Sequence, residues 1–225
     1  MTLRLEIWSD LACPWCFIGH RRLAQIKAQH PGWQLQHRAF ELQPDLPAQG
    51  LPARAFYDRK FGGAARTEQM FARVTEVAAA DGLRFDFSKM AKAPNTRLAH
   101  RVVQLCGEAG IQALDALFLG HFSEGVDLGD PQAIFEQLRR HQVPVEVESL
   151  AARLVDGEGE AEVVADQALA RRLGISGVPL FLAVTGRQGP PLAVSGAQPA
   201  EVLSALLTEA AAGEDHRSVG GRGPG

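Results

Sequence analysis

Hydrophobic and polar residues alternate in two segments near the start of the chain, over 3–9 and over 33–40. Apolar residues at every second position predict a β-strand in each segment. Between them, apolar residues recur at three-to-four spacing from 13 to 28, and Pro14 suits the first turn of a helix. The three elements predict a β-α-β unit with parallel strands and a right-handed crossover.

A long stretch with a helical pattern follows, and no strand signal of similar quality occurs in it. Helices are predicted near 53–62, 67–81, 95–108, 111–123, 131–141 and 146–154. A further helix is predicted at 158–173. Two apolar strands follow at 178–184 and 192–195, and the turn-rich 185–191 between them predicts a hairpin. A closing helix is predicted at 201–212.

This order of elements predicts an α/β fold in which an all-helical subdomain interrupts a sheet domain. We expect the sheet domain to comprise 1–45 and 156–212 and the helical insertion to comprise 46–155. Residues 213–225 are polar and glycine-rich, so we expect a disordered tail there.

The composition is that of an ordinary globular protein. The chain has 225 residues, 46% of them hydrophobic, and a formal net charge of -3. Its Lys and Arg residues are scattered, so a nucleic-acid partner is not expected. It has neither an apolar stretch long enough to span a bilayer nor a secretion signal before the first strand, so we expect a cytoplasmic protein without a membrane partner. The sequence leaves the oligomeric state open.

The three cysteines are too few, and odd in number, for a disulfide scaffold. Two of them lie in the run Cys13-Pro14-Trp15-Cys16, at the junction between the first strand and the first helix. The third, Cys106, has no evident partner. It is either a small buried hydrophobic residue or a redox-responsive thiol.

The position of Cys13 predicts a reactive thiolate. The first N–H groups of a helix lack helical partners and carry a partial positive charge, which favours an anionic sulfur there. Cys16, one turn along, is expected to be more buried, to stay protonated, and to resolve the mixed disulfide that Cys13 forms. Pro14 removes one N–H from this end, and Trp15 offers a substrate an aromatic face.

A zinc site is the alternative interpretation of the cysteine pair, and a purely structural pair is another. Structural zinc needs four ligands, and locally only His20 is placed to assist the two cysteines. A Cys-x-x-Cys pair within a β-α-β unit favours redox chemistry instead. We therefore expect no metal.

Several motifs together resemble the DsbA family, and within it the cytoplasmic FrnE-type branch. They are Asp10-Leu11-Ala12-Cys13-Pro14-Trp15-Cys16, Phe40-Glu41-Leu42-Gln43-Pro44, Asn95-Thr96, Ala99-His100-Arg101, Gly177-Val178-Pro179 and Ser195-Gly196-Ala197-Gln198-Pro199. The resemblance, over about 3–210, implies a thioredoxin domain interrupted by a helical domain. It also implies a cis Val178–Pro179 bond, in a loop that packs on the active-site helix. There the backbone of Val178 would pair with an extended substrate.

Two relatives of this fold suggest a different activity, the 2-hydroxychromene-2-carboxylate isomerases and the kappa-class glutathione transferases. They usually carry serine where Cys13 stands, so the Cys13 and Cys16 pair favours redox chemistry. In those relatives an asparagine like Asn95 lies near the glutathione site. Asn95 is therefore either a helix cap or a residue that orients substrate beside Cys13.

The chain differs from related oxidoreductases at the position of an acidic residue near the resolving cysteine. Related oxidoreductases often bury an acidic side chain six positions before the first cysteine, and Ile7 occupies that position here. We therefore assign no general base to Cys16. His100, Arg101 and His121 lie on predicted helices and are expected to be structural.

The first functional hypothesis is a thiol-disulfide oxidoreductase that acts on protein or small-molecule disulfides and thiols. It would need no cofactor beyond its own dithiol, with glutathione as a candidate co-substrate. The second is a glutathione-dependent isomerase or transferase of the 2-hydroxychromene-2-carboxylate isomerase type. The third is a redox-regulated chaperone or binding module. The sequence leaves open whether the pair acts as oxidant or reductant.

Overall fold

A four-stranded mixed sheet forms one part of the molecule. The computed structural model describes residues 3–185 and 191–218. The sheet consists of β1 (Leu3–Ser9), β2 (Trp33–Ala39), β5 (Leu180–Val184) and β6 (Leu192–Ser195), in the spatial order β2-β1-β5-β6. β1 pairs parallel with β2 and antiparallel with β5, and β5 pairs antiparallel with β6. The predicted β-α-β unit and the predicted hairpin are both confirmed, although 186–190 of the turn lies outside the described residues.

Helices account for most of the rest of the chain. The active-site helix α1 spans Pro14–Ile26, and α2 to α7 lie between β2 and β5. They span Ala53–Phe61, Ala64–Ala80, Arg97–Leu105, Gly110–Leu119, Pro131–Arg140 and Val147–Val155. α8 (Glu160–Arg172) and α9 (Ala200–Ser218) follow. This is a thioredoxin fold with a helical insertion, as predicted. The exact boundaries of the two parts, 1–45 with 156–212 and 46–155, stay a prediction.

Two hydrophobic cores meet at α1. One face of α1 packs Leu23 and Ile26 against the sheet and α9, together with Leu5, Ile7, Phe181 and Leu207. Another face packs Cys16, Phe17 and Ile18 into the core of the helical insertion. Phe17 stacks on Phe118 of α5, with ring centroids 5.2 Å apart and planes 9° apart. The helix that carries the cysteine pair is therefore held from both sides.

On the opposite face of the sheet, a buried ion network joins β1, β2 and α8. Arg38 contacts Glu6 at 2.7 Å and Asp166 at 3.1 Å. Asp166 also accepts the backbone N–H of Ala39 at 2.9 Å. Glu6 thus points away from the face that carries Ile7, as the alternation along β1 predicts.

The structure differs from the sequence prediction in local details. A two-residue ladder joins β3 (Leu51–Pro52) to β4 (Lys92–Ala93) inside the insertion. The end of α5 continues as a π-helix over Gly120–Glu124. The closing helix runs to Ser218 instead of ending at 212, so the prediction of a disordered tail is wrong over 213–218, and 219–225 lies outside the described residues. Among the described helices, none combines the length and apolarity that a membrane span requires.

Candidate active site

Cys13 lies at the N-terminus of α1. It is the N-cap residue, with extended backbone angles and no capping hydrogen bond from its side chain, and Pro14 begins the helix. Its backbone N–H donates to the carbonyl of Asp10 at 3.0 Å, which holds the loop between β1 and α1 in a tight turn. The sulfur therefore lies where the helix dipole favours a thiolate, as the sequence predicts.

Cys16 lies beneath Cys13, in the first turn of the same helix, and is completely buried. Burial raises the pKa of the Cys16 thiol well above its ordinary value. A hydrogen bond to the Cys13 sulfur and the charge of that sulfur raise this pKa further. Cys16 thus keeps its proton at neutral pH. A protonated, buried thiol is what a resolving cysteine is expected to be.

The loop before β5 closes over the cysteine pair. The Val178–Pro179 bond is cis, as the family resemblance implies. The carbonyl oxygen of Val178 lies 3.8 Å from the Cys13 sulfur. A Cβ atom on Gly19 would lie only 3.3 Å from Cγ of Pro179, so α1 approaches this loop closely because position 19 has no side chain. The structure therefore brings Cys13, Cys16, Val178 and Pro179 together.

An apolar cleft of about 170 Å³ opens beside the Cys13 sulfur, between α1 and the helical insertion. Its walls come from the active-site loop and from α2 and α3, and they include Pro14, Trp15, Leu42, Tyr57, Phe61, Met70, Phe71, Val74 and Phe87. Lys60 is the cation among the lining residues. The cleft can hold an aromatic or aliphatic group attached to a reacting sulfur, with an anionic group near Lys60.

Asp10 is a buried carboxylate that the sequence reasoning left without a role. Its two oxygens accept the backbone N–H groups of Ala12 at 3.1 Å and Leu42 at 2.7 Å. Burial raises the pKa of the Asp10 carboxyl, but the contact with His100 and the two backbone N–H groups outweigh burial and hold the pKa below its ordinary value. Asp10 therefore stays charged, three residues before Cys13. An acidic residue at the end of β1, just before the cysteine motif, was the available signal.

Asn95 lies apart from this group. Its side-chain oxygen accepts the N–H of Arg97 at 3.0 Å, and its amide donates to the carbonyl of Leu46 at 2.7 Å. It thus braces the start of α4, and it is not among the residues that line the cleft at Cys13. Its role in orienting substrate stays a prediction.

The third thiol, Cys106, is buried at the end of α4. Burial raises its pKa to about 11, so it is a poor nucleophile at neutral pH. Within 3–185 and 191–218, no group of three or more His, Cys, Asp or Glu side chains is arranged to hold a metal ion.

The geometry of the cysteine site agrees with the family resemblance that the sequence motifs carry. A model of the DSBA-like thioredoxin domain matches residues 4–208. The chain belongs to the DsbA-like thioredoxin family. No curated protein matches it.

Several solved structures are similar to this chain over almost its whole length. A probable DsbA oxidoreductase from Streptomyces coelicolor is 31% identical, with a TM-score of 0.81 over 99% of this chain and 92% of that chain. The cytosolic disulfide reductase DsbM from Pseudomonas aeruginosa is 18% identical, with a TM-score of 0.66 over 92% of this chain and 98% of that chain. A 2-hydroxychromene-2-carboxylate isomerase is 16% identical, with a TM-score of 0.62 over 96% and 97% of the two chains. The last two show a shared fold alone.

Proposed function

We propose that this DsbA-like protein is a thiol-disulfide oxidoreductase in which Cys13 attacks and Cys16 resolves. The observation that carries the proposal is the arrangement of the two sulfurs. Cys13 caps the N-terminus of α1, and the completely buried Cys16, whose pKa is raised by burial and by the Cys13 sulfur, lies in the first turn of the same helix. The family assignment supports the same chemistry.

In the reductive direction, the Cys13 thiolate attacks one sulfur of a substrate disulfide. The new bond joins Cys13 to that sulfur, the substrate S–S bond breaks, and the other substrate sulfur leaves as a thiolate and takes up a proton. Cys16 then gives up its proton and attacks Cys13. The mixed disulfide breaks, the second substrate thiol departs, and the protein is left with a Cys13–Cys16 disulfide. Running the steps backwards oxidises a substrate dithiol.

Two features near Cys13 support binding of protein or small-molecule disulfides. The carbonyl of Val178, 3.8 Å from the Cys13 sulfur, is placed to accept a hydrogen bond from a substrate backbone in the manner of strand addition. The apolar cleft would take a hydrophobic group next to the reacting sulfur. We infer that substrates with an aromatic or aliphatic group beside the disulfide react fastest.

Glutathione is our proposed co-substrate, because the fold is shared with a cytosolic disulfide reductase from Pseudomonas aeruginosa that has been solved with glutathione. The FrnE-type motifs, including Phe40-Glu41-Leu42-Gln43-Pro44, support a place in the cytoplasmic branch of the family. In this account the dithiol is the redox centre and no further cofactor takes part.

The cleft also favours a second candidate, a glutathione-dependent isomerase of the 2-hydroxychromene-2-carboxylate type. An apolar pocket with a lysine at its wall suits an aromatic carboxylate. In that reaction Cys13 would act on glutathione or substrate, and Cys16 would have no step to perform. The third hypothesis, a redox-regulated chaperone or binding module, requires client binding without redox turnover.

A comparison of wild type with Cys16→Ala separates these functions. We expect wild type to accelerate the reduction of insulin by glutathione. We expect Cys16→Ala to lose most of this activity, because glutathione from solution must then resolve the mixed disulfide in place of the neighbouring thiol. Glutathione-dependent turnover of 2-hydroxychromene-2-carboxylate that survives Cys16→Ala would favour the isomerase instead. Client binding that persists in a Cys13→Ser/Cys16→Ser variant, without insulin reduction by wild type, would favour the binding module.

A further inference from the structure

Three histidines are buried near the end of β1 and the loop that precedes the cysteine motif, although none belongs to that motif. His20 of α1, His37 of β2 and His100 of α4 are 4%, 7% and 0% exposed. The rings of His37 and His100 stack, with centroids 5.3 Å apart and planes 10° apart. Nε2 of His20 lies 3.5 Å from the hydroxyl oxygen of Ser9, at the end of β1. These rings come from three separate elements and lie near Ser9 and Asp10, where β1 ends.

The cluster lies at the level of the sheet where Ile7 replaces an acidic residue. Ile7 is completely buried and pairs with His37 in the register between β1 and β2. An isoleucine side chain has no group that accepts a proton. The nearest titratable side chain across the strand pair is therefore an imidazole.

Asp10 connects the cluster to the resolving thiol. It is 1% exposed, and its Oδ1 atom lies 3.5 Å from Nε2 of His100. At that distance the contact is an ion-pair approach rather than a well-formed hydrogen bond. Besides burial and the Cys13 sulfur, the charge of Asp10 raises the pKa of the Cys16 thiol, so the Asp10 carboxylate lies within electrostatic reach of that sulfur. Asp10 thus lies between the resolving thiol and the stacked rings of His100 and His37.

The ring nitrogens of this cluster have capacity to bind a proton. Within the part of the chain that the structure describes, neither ring nitrogen of His100 has a hydrogen-bond partner apart from the Asp10 contact, whereas the backbone of Ser9 interacts with His37. Buried polar atoms are usually paired, so the unpaired ring nitrogens of His100, beside the Asp10 carboxylate, call for a functional explanation.

Of the three histidine rings, His100 is the best placed to hold an added proton. Burial lowers the pKa of His20 to about 4 and lowers the pKa of His37 well below its ordinary value, so both are neutral at neutral pH. Of the three, His100 is the ring that lies against a carboxylate, and a negative charge at this distance attracts the positive charge of an imidazolium. The other titratable groups coupled to Asp10 are Cys16, Tyr57 and His121.

We propose that the Asp10–His100 pair accepts the proton of Cys16 when Cys16 attacks the mixed disulfide. This inference rests on the proposed function. The proton moves from the Cys16 sulfur to the His100 ring, which becomes an imidazolium beside the Asp10 carboxylate. The freed electron pair on Cys16 forms the bond to Cys13, the bond between Cys13 and the substrate sulfur breaks, and the substrate leaves as a thiolate. Water then returns the imidazolium to its neutral state.

The two chemical steps can be timed separately with dithiobis-nitrobenzoate, an aryl disulfide whose thiolate product absorbs visible light. All proteins carry Cys106→Ser, so that two thiols remain. Attack by Cys13 releases the first equivalent of thionitrobenzoate, and attack by Cys16 on the mixed disulfide releases the second. Stopped-flow absorbance then gives one rate for each step.

We expect His100→Gln and Asp10→Asn to slow the second release about a hundredfold, the scale of general acid-base catalysis, and to leave the first within about twofold. His30→Gln is the matched control and should change neither rate, because His30 lies past the far end of α1 and contacts Ser204. Unchanged second release in both folded variants would overturn the proposal. An equal slowing of both releases would also overturn it, since that indicates a structural role.

Wild type offers a second measurement that does not depend on the folding of a variant. Over a range from about pH 6 to 9, a proton acceptor held by the protein predicts a second rate that stops rising with pH once that acceptor is unprotonated. A second rate that rises about tenfold per pH unit throughout that range would mean that hydroxide or water removes the proton, and would overturn the proposal. If wild type shows no second release at all, the proposed dithiol function is wrong. That outcome does not depend on the role of the histidines.

Discussion

Cys13→Ser should lower insulin reduction by at least about a hundredfold, because a serine hydroxyl neither ionises at neutral pH nor forms a disulfide. The expectation follows from the place of Cys13 at the N-terminus of α1, against the carbonyl of Val178. Neither of the other thiols can replace it. Cys16 is completely buried with a strongly raised pKa, and Cys106, with a pKa of about 11, is about one part in ten thousand thiolate at neutral pH. The rate of insulin precipitation in the presence of glutathione measures the effect.

Cys106→Ser is the matched control for this experiment. It makes the same chemical change at a buried cysteine outside the active site, so insulin reduction should stay within about twofold of wild type. If Cys13→Ser kept full activity, or if Cys106→Ser abolished activity in a folded protein, the assignment of Cys13 as the attacking thiol would be wrong.

Phe118→Ala should lower the free energy of unfolding by about 3–5 kcal/mol, the usual cost of truncating a buried phenylalanine. Phe118 is completely buried and stacks on Phe17, which follows Cys16 directly on α1. The substitution removes the ring that joins the helical insertion to the active-site helix. For a domain of this size, we expect the melting temperature to fall by about 10 °C. Denaturant unfolding followed by circular dichroism gives the free energy directly.

The controls test whether burial is the cause of this loss. Val155→Ala truncates a side chain that is 87% exposed, so its effect should stay within about 0.5 kcal/mol. Phe118→Leu keeps an apolar side chain in the core and should cost less than Phe118→Ala. A loss below about 1 kcal/mol for Phe118→Ala would contradict the close packing between α5 and α1.

Most of the fold could be predicted because its elements have strong periodic patterns. The alternation over 3–9 and the helical spacing over 13–28 are local properties of the sequence, and both elements occur where they were expected. The ladder of Leu51–Pro52 with Lys92–Ala93 was missed because two residues carry no period, and one of them is a proline. The end of α9 was placed too early because polar residues after 212 can continue a helix as well as leave it.

For the active site too, residues that are close together in the sequence could be predicted, and residues that are far apart could not. Cys13 and Cys16 lie in one short motif, so their place at the start of a helix follows from the sequence alone. Val178 lies 165 positions further along the chain, and only the family resemblance indicated that it would reach Cys13. The sequence did not predict that Asp10, His37 and His100 lie close together. No local pattern indicates a contact between residues so far apart in the chain.

The account depends on Cys13 and Cys16 forming a reversible disulfide with each other, and equilibration with glutathione redox buffers tests this most directly. After acid quenching, mass spectrometry of alkylated peptides gives the redox state of each cysteine. We predict a single two-electron transition with a midpoint between about −270 and −120 mV, the range of related dithiol proteins, with Cys13 bonded to Cys16 and Cys106 still a thiol. A Cys13 that stays reduced or carries only glutathione in every buffer, with Cys16 free, would contradict the account.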